Sequence, residues 1–275
     1  MNAYARVYEL LALPAALRAC ALGAIALPVV GAEAPAYWYG FPPALIPLWS
    51  EPSGPLYYGC WKHWFIDREP TFVKAYVECP WTMLEVARTP AQLFALAAIS
   101  AIVDGDAVTP QVEAFARKVG IDNLAQIDSV SLDTGDDAAG LVRLDQFAAA
   151  VPLACCPDPS AYGGSFPLST QPPPAHALAR TCQFELDIDA LSGWLADPAC
   201  PPWLATRAQS KLALCRGYIA QGAFALAWLS INARGWSIGE ARSAVAELAA
   251  AAADPQFDLL ASAWLALASD SAGGY

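Results

Sequence analysis

Charge is scarce in this sequence: Asp, Glu, Lys and Arg supply 15% of its 275 residues, against 56% apolar residues. That balance excludes a disordered polypeptide, because the chain has ample apolar surface to offset the entropy lost on ordering it. Basic residues are the scarcer sign, 15 against 26 acidic ones, which leaves a formal charge of −11. Such a field repels phosphate backbones and anionic headgroups, so neither nucleic acid nor a membrane surface is an expected partner. No C-x-x-C pair occurs, and with it goes a structural zinc site. "AYGGS", residues 161 to 165, lacks the lysine and the strand-to-helix setting of a phosphate loop, which removes nucleotide cofactors. Nor does any apolar run reach the roughly 18 residues that a membrane span needs. No cofactor and no metal is expected.

What is present bounds the rest. The length suits one large domain or two medium ones. Eight scattered cysteines in a chain with its own apolar core read as buried free thiols rather than a disulfide framework. "ACALGAIALPVVGAEA", residues 19 to 34, superficially suits a secretory leader, but Glu9, Arg18, Pro28 and Pro35 fall where that pattern disfavours them, and a cytoplasmic location is the expectation. The acidic excess is uneven. Residues 1 to 100 carry 6 basic and 7 acidic groups, residues 101 to 180 carry 4 and 10, and residues 181 to 275 carry 5 and 9. The middle of the chain therefore fits a basic protein partner best.

Along the chain, Val7, Leu10, Leu11 and Leu17 fall at helical spacing, with Pro14 as a break. From Tyr37 the texture turns to aromatic and β-branched residues punctuated by Pro and Gly. In "TFVKAYVE", residues 71 to 78, Val73, Ala75 and Val77 alternate with Phe72, Lys74, Tyr76 and Glu78, as on a strand with one face toward the core. With strands at 56 to 61 and 82 to 87, residues 44 to 87 read as an antiparallel meander, "EPSGP" at 51 to 55 supplying turn chemistry. Thr89, Pro90 and Gln92 launch a helix to about Val103, and Thr109 and Pro110 another that Gly120 ends. Asp128 to Asp133 reads as a further strand. Seven prolines between Val151 and Pro174 exclude a regular element, so residues 151 to 176 read as a linker or wrapping loop. Beyond it Ser237 with Glu240, and Asp254 with Pro255, open two of about four antiparallel helices. The expectation is an α+β fold: an α+β domain over residues 1 to 150 with its meander sheet packed on helices, then an all-helical part over 177 to 275.

Several constellations invite chemistry. "YYGCWKHWFIDR", residues 57 to 68, gathers aromatic rings around His63, which could act as a general base oriented by Asp67 or Glu69. No paired nucleophile follows, and Trp61, Trp64 and Arg68 are residue types that dominate protein interfaces, so an exposed edge here would be a contact surface and a buried one core. Asp133, Thr134 and Gly135 spell the aspartic-protease tripeptide, yet only one copy exists and Asp136 follows it, so the segment reads as a solvated acidic turn. Asp104, Asp106, Asp133, Asp136 and Asp137 lack calcium-loop spacing and read as an acidic surface that steers a cationic partner. Cys155, Cys156, His176 and Cys182 are ligand types at irregular spacing, and read as a buried loop anchor rather than a metal site.

The order "GFPPALIPLWSEPSGPLYYGCW", then "TFVKAYVE", then "MLEVARTPAQLFALA" resembles the middle of the SUKH superfamily of bacterial immunity proteins, with Phe41, Pro47, Gly59, Trp61, Val73 and Phe94 as the aligned positions, over roughly residues 37 to 103. The resemblance implies an α+β domain without catalysis that binds a cognate toxin from a rival cell. The expected partner surface comprises Trp61, His63, Trp64 and Arg68 with the five aspartates named above, and the expected partner is a basic toxin or effector protein. An adaptor or chaperone for a secreted effector, and a hydrolase using His63, are the alternatives.

Overall fold

The computed structural model describes residues 2–33, 39–51, 56–66, 70–76, 83–155, 202–203, 210–233, 235–268 and 274–275. Four strands, β1 (Leu45–Glu51), β2 (Leu56–Trp61), β3 (Thr71–Tyr76) and β4 (Met83–Ala87), form an antiparallel meander in that order. Ten α-helices accompany them among the described residues. Two precede the sheet, α1 (Ala5–Leu10) and α2 (Ala15–Ala21). Four follow it, α3 (Pro90–Gly105), α4 (Pro110–Val119), α5 (Leu124–Thr134) and α6 (Ala138–Leu141). The last four are α7 (Lys211–Ala220), α8 (Phe224–Ile231), α9 (Ile238–Ala252) and α10 (Pro255–Leu267). The fold is α+β, as expected, with helices at its C-terminal end. None of the described helices is long and apolar enough to cross a membrane.

Helix starts follow their capping chemistry. The Thr89 hydroxyl accepts from the Gln92 amide at 3.2 Å, and Thr109 does the same for Val112 at 3.3 Å, each ahead of a proline that pre-sets the first turn. Gln92 does more than close a capping box. Its carbonyl accepts from the Arg88 amide at 2.7 Å, and its amide donates to Gln146 and Ala150 carbonyls at 3.0 and 2.7 Å, so one buried side chain also pins the 146–150 loop. Gly120 ends α4 in the left-handed conformation. Two sequence expectations need correction. Asp128–Asp133 is not a strand but the middle of α5, where Ile127 and Val130, three residues apart, are the buried pair. The sheet, moreover, hides both faces: every residue of β2 is buried, and on β3 Phe72 is covered as well as Val73 and Ala75. A sheet clad on both sides loses the alternation that a half-solvated one shows.

One cladding layer is α3, whose Leu93, Leu96 and Ala97 lie around Trp49 and Tyr58. On the opposite face Tyr57 meets the Phe41 ring edge-on at 5.1 Å, and Trp61 meets His63. A continuous hydrophobic cluster runs from Tyr4 and Tyr8 through the sheet to Trp228, Trp264 and Tyr275.

Three C-terminal side chains complete the hydrogen bonding of backbone beside the sheet. The indole of Trp264 donates to the Phe41 carbonyl at 3.0 Å, that of Trp228 to the Lys62 carbonyl at 3.2 Å, and the Asn232 side-chain oxygen accepts from the Ala44 amide at 2.6 Å. Buried polar backbone demands such partners, and tryptophan delivers a donor together with a large apolar body. The residues from 156 to 201 fall outside the described set, and with them most of the proline-rich segment, Cys156, His176 and Cys182. Its entry does not: the buried Glu85 carboxylate accepts from the Leu153 amide at 3.1 Å and fastens the 3₁₀ turn Leu153–Cys155 against β4.

Candidate functional site

The aromatic stretch that drew attention in the sequence is a joint. Trp61 is 1% and His63 2% exposed, and the Trp61 indole donates to Nε2 of His63 at 3.0 Å. That nitrogen is thus an acceptor turned toward the core, so neither residue lies on the surface expected for a contact edge. The reason is that the chain leaves β2 directly beneath α8 and α10. Phe65 packs against Phe224, Trp228 and Phe257, and the half-buried Trp64 meets Phe257 at a tilt while its indole donates to Asp254 at 2.9 Å. Arg68, with Asp67 and Glu69, lies outside the described residues.

Asp254 therefore has two tasks, as acceptor for Trp64 and as N-cap of α10 through the Gln256 amide at 2.9 Å. The Trp64 indole holds its carboxyl below the ordinary aspartate value, helped by the helix-end amides of Gln256 and Phe257 and opposed by partial desolvation. A lowered folded-state value means that the stabilisation is complete above the ordinary aspartate range, near pH 4, and is lost as the pH falls through the depressed value. Replacing Asp254 by Ala is expected to cost about 1–2 kcal/mol at neutral pH, the usual loss for a cap, and to flatten the acid limb of the stability curve. Urea titrations of both proteins between pH 7 and pH 3 check this.

The five aspartates are all exposed, but their circumstances differ. Asp133 pairs with Arg143 at 2.9 Å, and Asp137 caps α6. Asp106 occupies the left-handed position that ends α3, one of the few non-glycine types that tolerates it. Asp104 and Asp136 have no such employment, and among the described residues no cation lies within ion-pair distance of either. Asp104 sits in the last turn of α3, where a carboxylate opposes the helix dipole at a cost of about 0.3–1 kcal/mol.

Asp136 lines a pocket that sequence reasoning missed, and the charge of Asp104 reaches its Tyr58. Tyr58, Lys74 and Leu84 are direct cross-strand neighbours on β2, β3 and β4, and so share the face under α3. With Tyr76, Ser100 and Asp136 they line a half-open pocket of about 140 Å³, completed by apolar residues of β4, α3 and α6 and by Cys155. The Lys74 ammonium lies over the Tyr58 and Tyr76 rings, 5.6 and 5.1 Å from their centroids. Burial pushes the Tyr58 phenol well above its ordinary value, and the charges of Glu51, Asp136 and Asp104 add to the rise, so Tyr58 keeps its proton. Burial also raises Glu51, against the pull of Lys74. The signal for this pocket was in "TFVKAYVE": the alternation already set Lys74 and Tyr76 on one face, and a lysine inside a meander strand requires a reason to be there.

Among the described residues no group of three or more His, Cys, Asp or Glu side chains could hold a metal ion. Cys20, Cys60 and Cys215 are free and buried, and burial pushes the Cys60 and Cys215 thiols up to about 12, far from the thiolate that nucleophilic chemistry requires. In comparisons with known proteins, no family model, no curated protein and no solved structure matches this chain.

Proposed function

We propose that this chain acts by binding a basic protein partner, in the manner of an immunity protein that neutralises a bacterial toxin by direct contact, and that it does so in the cytoplasm. The observation that carries this reading is the pair Asp104 and Asp136: exposed carboxylates without counter-ions among the described residues, one held at the helix end that disfavours it, in a chain of net charge −11. Stability spent on charge of one sign at one place is what steering of an oppositely charged partner requires. The resemblance of residues 37 to 103 to SUKH immunity proteins points the same way, and the buried free thiols of Cys20, Cys60 and Cys215 suit a reducing compartment. A hydrolase built on His63 draws no support from an imidazole that is buried and engaged by Trp61.

The test is co-expression with the product of the adjacent gene. Cells carrying the wild-type chain are expected to survive a toxin encoded there, and the double variant Asp104→Lys/Asp136→Lys is expected to lose protection, with association slowed by about tenfold or more. A neighbour that is harmless alone, or protection that the charge reversal leaves intact, would refute the proposal.

A further inference from the structure

The pocket between Tyr58, Lys74, Tyr76 and Asp136 has properties that docking of a large basic surface does not use. Its volume of about 140 Å³ is close to the roughly 150 Å³ of a cavity that accommodates benzene, so its natural occupant carries a body no larger than one ring or one branched aliphatic group. Leu84, Val86, Leu96 and Leu141 give that body apolar walls. The polar groups are sorted by type. On the sheet side are donors: the Lys74 ammonium, the Tyr58 phenol that keeps its proton, and the Tyr76 hydroxyl. Opposite them, between α5 and α6, is an acceptor, the exposed carboxylate of Asp136, with no cation of its own among the described residues.

A donor group headed by lysine selects a carboxylate. A simple monoanion would nevertheless enter against Glu51, Asp104 and Asp136, whose charges all reach Tyr58. A ligand that also carries an ammonium group answers Asp136 and removes that repulsion. A cation alone would meet Lys74. The arrangement therefore favours opposite charges on one small apolar molecule over either charge by itself.

We propose that this pocket is a binding site for a free apolar α-amino acid, its carboxylate at Lys74, its ammonium at Asp136 and its side chain against the leucine and valine walls. The site shares Asp136 with the proposed partner surface, but it is argued from the pocket lining and its test needs no toxin. The experiment is isothermal titration of the full chain with L-leucine and L-phenylalanine, alongside 3-phenylpropanoate, which lacks the ammonium, and L-phenylalaninamide, which lacks the carboxylate.

Saturable binding of at least one amino acid with a dissociation constant of about 1 mM or tighter is expected, weakened about tenfold or more for each analogue. Asp136→Asn, a change at an exposed position, is expected to weaken the amino acid about tenfold and, by removing one of the repelling charges, to leave 3-phenylpropanoate bound at least as tightly as before. Lys74→Met is expected to abolish binding, with circular dichroism as the check that the sheet is intact; should it fail to fold, the Asp136 variant and the analogue series decide alone. No heat from either amino acid at about 10 mM overturns the proposal. So does equal affinity for phenylalanine and 3-phenylpropanoate, or an Asp136→Asn protein that binds as the wild type does.

Discussion

Replacing Trp264 by alanine is expected to lower the unfolding free energy by about 4 kcal/mol, within the range for truncating a buried tryptophan. The side chain is fully buried, and it fills space between α10 and the segment that leads into β1. Its indole also donates to the Phe41 carbonyl. A phenylalanine at the same position separates the two contributions. Trp264→Phe retains most of the apolar body and removes the donor, and about 1–2 kcal/mol is expected, the share of one hydrogen bond. Urea unfolding followed by circular dichroism reads both variants. Equal losses would mean that packing does not contribute, and no loss for the phenylalanine variant would mean that the Phe41 carbonyl finds another donor.

A methyl group added at Gly59 is expected to be almost as damaging, costing about 3 kcal/mol, at the upper end of overpacking effects. Gly59 lies at the middle of β2, paired with Pro47 on one side and Val73 on the other. A Cβ there would stand 2.5 Å from a Leu45 methyl and 2.8 Å from the Ile46 carbonyl oxygen. The methyl can rotate away; the carbonyl belongs to the neighbouring strand and cannot move without disturbing the ladder. Gly59→Ala should therefore lower the thermal midpoint sharply, whereas Gly217→Ala on α7, where a Cβ meets nothing within 4 Å, should leave it unchanged or raise it slightly. A Gly59 variant as stable as the wild type would show that β1 can slide outward.

Local signals carried most of the fold. Thr89 with Pro90, Thr109 with Pro110, Ser237 with Glu240 and Asp254 with Pro255 each bear the chemistry of a helix start, and each is followed by a helix. The meander was legible because strand texture and turn residues alternate at short range. Asp128–Asp133 misled because Val130 and Leu132 mimic alternation over a few residues, and only the tertiary contacts of Ile127 and Val130 show the helical period. The fate of Trp61 and His63 was illegible for a different reason. Aromatic residues serve interfaces and cores alike, and the rings packed on this segment at Phe65 belong to Phe224 and Phe257, far along the chain. Lys74 was assigned to the correct face, but its meaning depended on Tyr58, its partner on the neighbouring strand, and on α3 above it.

The reach of the Trp264 indole has a consequence for how the molecule is made. Phe41 and Trp264 are 223 residues apart. At roughly 5–20 residues per second a ribosome needs roughly 10–45 seconds to travel from one to the other. For that interval the nascent first half has α3 over one face of its sheet but lacks the C-terminal helices that pack beside the other. Expression at high rates should thus depend on a holding chaperone at the tunnel exit, and slowing of translation late in the message should cost more aggregated product than the same delay placed early.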